Sequence, residues 1–279
     1  MGTLYVVATP IGNLGDMTTR SIETLREVDL ILVEDTRQTI KLLSVFDIKT
    51  KMLSYHKFNE KSRCQEIIDK LLSGQNIALV SDAGTPCISD PGFIIVKEAR
   101  ENKIPVMGIP GSSAVVNALA ISGLETNSFT FYGFLPIDNS KQKKEIQLIK
   151  ELPINTIVFY ESPKRIVKFI EKLKTYFPDS LVFIASDMTK KFERSFYGKI
   201  EEVYEIIAND SKIEKGEYVV ILQKESFKKE EKSLCLEAVI IDEMIKSKCS
   251  SKEAIKNLSE KNYKKNDLYE ASLNLKNIV

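Results

Sequence analysis

Short, mostly apolar runs recur along the first 223 positions, each stopped by glycine, proline or a polar residue. In the first half they are residues 4–8 (LYVVA), 30–33 (LILV), 52–55 (MLSY), 77–80 (IALV) and 104–109 (IPVMGI). Runs this short and this apolar read as buried strands. Between them the period changes to that of a helix. Residues 18–28 place Ile22, Leu25 and Val28 on one face, and residues 60–73 do the same with Ile67, Ile68, Leu71 and Leu72 before Gly74. Asp90 and Pro91 suit an N-cap and a first helical position, so a helix is expected to open there. Another spans 114–121, preceded by Ser112 and Ser113 and closed by Gly123. Strand and helix in alternation imply a parallel sheet with right-handed crossovers. That arrangement gathers the loops 9–16, 82–86 and 110–113 on one rim.

The second half alternates less regularly. Residues 129–136 are aromatic and extended and form the passage between halves. A basic helix begins near Ser140. Residues 156–160, 181–185 and 217–223 are strands, 192–197 alternates as a strand does, and helices fit 164–176 and 199–208. Pro163 suits the first position of the former. Strands this close together predict a mixed sheet. From residue 224 onward lysines outnumber acids 12 to 10 and arginine is absent. Helices fit 232–247, 251–260 and 266–275, and Ser250 with Glu253 has the spacing of a capping box. The expected organisation is an α/β domain over 1–123, a second over 124–223 and a helical appendage over 224–279.

Charge and composition narrow the function classes. Forty basic residues against 39 acidic ones leave a net charge of +1, so no global signal points to nucleic acid or membrane. No stretch is long and apolar enough to span a bilayer, and the start lacks the basic region of a secretory signal. Cys64, Cys87, Cys235 and Cys249 are not paired at metal-binding spacing and read as thiols of a reducing cytoplasm. With His56 the single histidine, a multi-histidine metal site is excluded, and no metal is expected. The phosphate loop and the dinucleotide fingerprint are absent.

Six segments occur in order: TLYVVATPIGNLGDMT, VEDTR, SDAGTPCISDPG, PGSSA, FYGFLP and FYESPKR. Together they resemble the ribosomal RNA small subunit methyltransferase I family, within the tetrapyrrole methylase class. The match covers residues 3 to 223, and KKNDLYEASLNL resembles that family's C-terminal helix-turn-helix. The resemblance implies two α/β domains with the cofactor cleft between them, and a homodimer. It implies transfer of a methyl group from S-adenosylmethionine to the ribose 2′-hydroxyl of a cytidine in 16S rRNA of the 30S subunit. One departure stands out. The wider class carries a GxGPGD-like first loop, whereas this chain has Thr9-Pro10-Ile11-Gly12-Asn13-Leu14-Gly15-Asp16, which argues against a porphyrin-like substrate.

By motif, Pro10, Asp82, Gly84, Thr85, Ser112 and Ser113 are expected around the methionine and ribose of the cofactor. Tyr160, Ala185, Glu217 and Tyr218 are expected around its adenine. Glu34, Asp35, His56 and Glu161 are the candidates for a base that deprotonates the 2′-hydroxyl, and the residues do not choose among them. Arg37, Lys141, Lys143, Lys144, Lys264 and Lys265 are the cations placed for RNA phosphate, although a solvated face is the favoured reading of the lysine cluster at 141–144. Two other functions fit the same fold: a methylase of a small tetrapyrrole-like molecule, and a non-catalytic RNA-binding assembly factor.

Overall fold

The computed structural model describes residues 1–225, 235–261 and 263–276. They fall into two compact units, Met1–Glu225 and Ser226–Val279. The first holds two five-stranded sheets. In the first sheet β1 (Leu4–Val7), β2 (Leu30–Val33), β3 (Met52–Ser54), β4 (Ile77–Leu79) and β5 (Val106–Ile109) lie in the order β3-β2-β4-β1-β5. Every pairing is parallel. Helices α1 (Thr19–Glu27), α2 (Thr36–Val45), α3 (Glu60–Leu72) and α4 (Phe93–Glu101) cover it. Leu4, Leu32, Ile77 and Leu79 pack with Ile67 and Ile95 on one face. Val7, Ile31, Val33 and Ala78 pack with Leu25 and Leu43 on the other. Both faces are buried, which is why these strands are apolar throughout rather than alternating.

The second sheet joins β6 (Phe129–Phe134), β7 (Thr156–Glu161), β8 (Leu181–Ser186), β9 (Arg194–Lys199) and β10 (Tyr218–Gln223) in the order β6-β7-β10-β8-β9. It is mixed: β6 runs parallel to β7 and the other pairs are antiparallel. Helices α6 (Asn139–Glu151), α7 (Ile166–Tyr176) and α8 (Ile200–Ala208) supply Ile146, Phe169 and Val203 to one face. The opposite face, with Val158, Phe183, Ala185 and Val219, receives Val115, Ala118 and Leu119 of α5 (Ala114–Ile121). Helix α5 thus leaves the rim of the first sheet and packs on the second, which fixes the two rims against each other. In the second unit α9 (Leu236–Ser247), α10 (Ser251–Glu260) and α11 (Lys265–Lys276) bury Ile240, Ala254, Leu258 and Leu268. The capping box of Ser250 and Glu253 is present at the start of α10. Of the tail helix expected at 232–247, residues 232–234 lie outside the described residues.

Helix α2 follows β2 directly, with Asp35 as its N-cap. Two expectations are corrected. Helix α4 does not start at Asp90-Pro91. Its N-cap is Gly92, at φ +132°, and its first residue is Phe93. A side chain at Gly92 would stand 2.6 Å from both Cys87 Sγ and Leu79 Cδ2, so a crowded turn rather than a capping carboxylate begins this helix. Helix α7 starts at Ile166, which leaves Pro163 in the preceding turn.

Candidate active site

The order β4-β1-β5 sets the three Gly/Pro-rich loops side by side. Thr9 N donates to Gly84 O at 2.9 Å and Gly84 N to Thr9 O at 3.0 Å. Thr85 Oγ1 donates to Ser112 O at 3.2 Å. The end of β2 joins the same rim, because Asp35 N donates to Asp82 Oδ1 at 3.1 Å. Gly84 holds φ +79°, a conformation for which glycine pays no Cβ penalty.

Between this rim and the second sheet lies a cleft of about 390 Å³. Gly84, Thr85, Asp90 and Ser113 line one wall, and Tyr160 and Glu217 belong to the other. Ile11, Ala114, Met188 and Val219 make part of it apolar. Tyr160 is wedged between Phe131 and Phe134, with ring centroids at 5.0 and 5.6 Å. Ser113 caps α5, so the positive end of that helix dipole opens on the cleft. The first loop also approaches the second half closely at Gly12, where a Cβ would meet Lys190 Cγ at 2.5 Å and Thr189 Oγ1 at 2.9 Å. A bulkier residue in the first loop would force the two halves apart there.

Carboxylates crowd the rim. Burial, with Asp82 adding to it, pushes the Asp90 carboxyl up to about 6, while the Ser81 hydroxyl beside it pulls the other way. Glu34 is raised by burial and then by Asp90, Asp82 and Asp35. Asp82 is raised chiefly by burial. Asp35 moves the other way, down to about 2, because Arg37 donates to it from both side chain and backbone. The contacts are Arg37 Nη2 to Asp35 Oδ2 at 2.7 Å, Nε to Oδ1 at 3.1 Å and N to Oδ1 at 2.8 Å.

The expected site residues divide accordingly. Gly84, Thr85, Ser113, Tyr160 and Glu217 line the cleft. Pro10, Asp82 and Ser112 sit on the rim outside its lining. The Ser112 hydroxyl is nonetheless buried without a partner. Tyr218 contributes from β10, but its side chain turns to the helix-covered face, where its hydroxyl donates to Ile213 O at 2.7 Å. Ala185 is sealed beneath α5 and does not reach the cleft. Among the candidate bases, Glu161 also lines the cleft, deeply buried and with Oε2 unpartnered. Its side chain is 1% exposed, and Oε1 accepts from Arg165 Nη2 at 2.6 Å and Ser162 N at 2.6 Å. It holds the turn that walls the cleft. Asp35 is engaged as a helix cap, and His56 is engaged by Phe58 N and Asn59 in its own turn. Arg37, Lys141, Lys143 and Lys144 are exposed on the first unit and Lys264 and Lys265 on the second. Asp90 escaped the sequence reading because Asp-Pro before an apolar run has the form of a helix start.

The model of the Tetrapyrrole (Corrin/Porphyrin) Methylases matches residues 3–204. Over 273 residues the chain is 42% identical to the ribosomal RNA small subunit methyltransferase I of Halalkalibacterium halodurans, covering 96% of this chain and 93% of that one. The chain belongs to the ribosomal RNA small subunit methyltransferase I family. Its Bacillus subtilis relative of the same name is 40% identical over 277 residues, 97% of this chain and 94% of that one. The fold is that of the tetrapyrrole methylases. The crystal structure of uroporphyrin-III C-methyltransferase from Thermus thermophilus complexed with S-adenosyl homocysteine superposes with a TM-score of 0.54 at 15% identity, over 81% of this chain and 98% of that one. Five of the six segments supply residues to the cleft, and the sixth, VEDTR, stands on the adjoining rim. No helix among the described residues is long and apolar enough to cross a membrane.

Proposed function

We propose that this protein is an S-adenosylmethionine-dependent methyltransferase that methylates the ribose 2′-oxygen of a cytidine in 16S rRNA, acting on the 30S subunit in the cytoplasm as a homodimer. The family supplies the class of reaction, and the cleft between the rim loops and the second sheet carries the reading. Its chemistry suits the cofactor. The capped start of α5, with the unpartnered Ser112 hydroxyl beside it, suits a carboxylate. Ile11, Met188 and Val219 suit an adenine, and Gly84 allows close approach of backbone. S-adenosylmethionine, when bound, supplies an electrophilic methyl group. The chain's own task is then to seat the acceptor ribose beside that group and to exclude water, so that positioning dominates the rate. Residues 1–123 and 124–223 act as two domains that offer the two walls.

The substrate reading favours an assembled particle over free RNA. A net charge of +1 provides little phosphate neutralisation, and RNA affinity depends strongly on it. Arg37 and the exposed lysines at 141–144 and 264–265 supplement a shape that a folded RNA surface presents. The test is transfer of labelled methyl to purified 30S subunits and to stripped 16S rRNA, followed by nuclease digestion. Label on a cytidine ribose, with 30S much the better acceptor, is expected. Label on a base, or equal rates on both acceptors, overturns the reading, and transfer to a macrocycle alone returns the protein to its small-molecule cousins.

A further inference from the structure

The cleft and the acidic rim meet at one side chain. Asp90 lines the cleft, yet its electrostatic neighbours include Glu34 and Asp82 on the rim and Tyr160 on the opposite wall. It is the residue common to the space that suits the cofactor and to the open rim from which a nucleotide must approach. Its backbone is held there at a cost. Cys87 and Ser89 adopt φ of +71° and +66°, and Gly92 adopts +132°. Left-handed conformations at non-glycine residues are strained and persist where the surrounding structure enforces them, often at functional sites. This short loop carries two, one on Asp90's immediate neighbour. The turn that a capping aspartate would have stabilised is given up, and the carboxylate is presented to the cleft instead.

Resting on the methyltransferase reading above, we propose that Asp90 accepts the proton of the ribose 2′-hydroxyl. The proton passes from O2′ to a carboxylate oxygen of Asp90. The O2′ electron pair forms the new carbon–oxygen bond as the methyl–sulfur bond breaks with its pair left on sulfur, and Asp90 afterwards releases the proton to solvent. The four candidates taken from the sequence are less well placed. Glu161 shares the cleft lining and leaves Oε2 unpartnered, but its side chain is 1% exposed and its Oε1 is paired with Arg165; Asp35 is held by Arg37, His56 is bound within its turn, and Glu34 is outside the cleft lining. A carboxyl poised near 6 is closer to the working pH than an ordinary aspartate, which favours proton transfer in the transition state. The groups facing it are Glu34 from the end of β2, Ser81 and Asp82 after β4, Cys87 in its own loop, Glu60 of α3 beside Gly92 N, and Tyr160 of β7.

The experiment compares wild type, Asp90→Asn, Asp90→Glu and Glu34→Gln on 30S subunits. S-adenosylhomocysteine affinity is measured by calorimetry and melting temperature is followed against pH. Asp90→Asn is expected to lower kcat by roughly 10²–10⁴-fold with the S-adenosylhomocysteine affinity kept. The wild-type rate should rise with pH through about 6, and Asp90→Asn should lose that limb while Asp90→Glu retains it. The folded state holds a proton on Asp90 that the unfolded chain has released between an ordinary aspartate's pKa and about 6, so wild-type stability falls as pH rises through that window. Asp90→Asn should therefore melt above wild type at pH 8 and lose that advantage at pH 4. An unchanged kcat, an acid limb that survives in Asp90→Asn but vanishes in Glu34→Gln, or loss of S-adenosylhomocysteine binding overturns the proposal. If wild type itself labels no ribose, the methyltransferase reading fails first, and the calorimetry shows whether the cofactor assignment survives.

Discussion

Glu161 and Arg165 show how one ion pair shapes a wall of the site. Glu161 is buried at the end of β7, and its single ionic partner is four residues on. Removing the cation leaves an uncompensated buried charge, which is the expensive way to break such a pair. Arg165→Met should cost about 3 kcal/mol of stability. A denaturant midpoint that does not move would show the pair to be idle. Gly84 presents the complementary case. A Cβ there would meet Ile11 Cγ2 at only 3.4 Å, so the space is tolerable and the conformation is not. Gly84→Ala should destabilise by roughly 1–2 kcal/mol, the penalty of left-handed backbone, and should weaken S-adenosylhomocysteine binding as the loop relaxes. Unaltered affinity by calorimetry would remove Gly84 from the cofactor wall. Much of the site was legible at this scale, because Gly84, Thr85 and Ser113 belong to loops whose composition excludes any regular element. Asp90 was not. Local capping rules assign it to a helix, and only the crowding at Gly92 by Leu79 and Cys87, contacts remote in sequence or set by the fold, withdraws it.

At the scale of elements, burial decided what could be read. The strands of the first sheet announced themselves because both faces are covered. Helix α5 was placed at 114–121 as observed, since Ser113 caps it and apolar residues fill it. Its packing on the second sheet was not legible, because a helix apolar on several faces does not say which neighbour it serves. Helix α2 was not assigned, although its start is capped by Asp35: it begins with the polar residues Thr36-Arg37-Gln38-Thr39, which carry no apolar helical period. One element is secured by a residue outside it. Lys224, just past β10, is buried and donates from Nζ to Ile149 O at 3.0 Å and Leu152 O at 2.7 Å, closing the C-terminus of α6. A cation there also meets the negative end of the helix dipole. Lys224→Met should cost about 1–3 kcal/mol by leaving these carbonyls unpaired. Hydrogen exchange should show the last turn of α6 opening first, and an unchanged protection pattern would contradict the capping role.

At the scale of the molecule, the division at Glu225 separates two kinds of structure. Met1–Glu225 contains both sheets, the clusters that cover them and the whole lining of the cleft. The second unit has a small core of its own, in which Ile240, Leu258 and Leu268 meet, and presents Lys264 and Lys265 to solvent. Among the described residues neither sheet takes a strand from it, so cooperative folding of the first unit should not require it. A protein ending at Glu225 retains Lys224 and with it the closure of α6. It should unfold in a single cooperative transition and bind S-adenosylhomocysteine with wild-type affinity. Its activity on 30S subunits should nevertheless fall, because the cations at 264 and 265 are lost and with them a share of the phosphate contacts. Each phosphate contact removed should reduce the slope of log affinity against log salt by roughly 0.7–0.9. The truncated protein should thus bind 30S subunits more weakly and less salt-dependently than the full chain. Full-rate methylation by the truncated protein, with the same salt dependence, would show that the helical unit takes no part in docking.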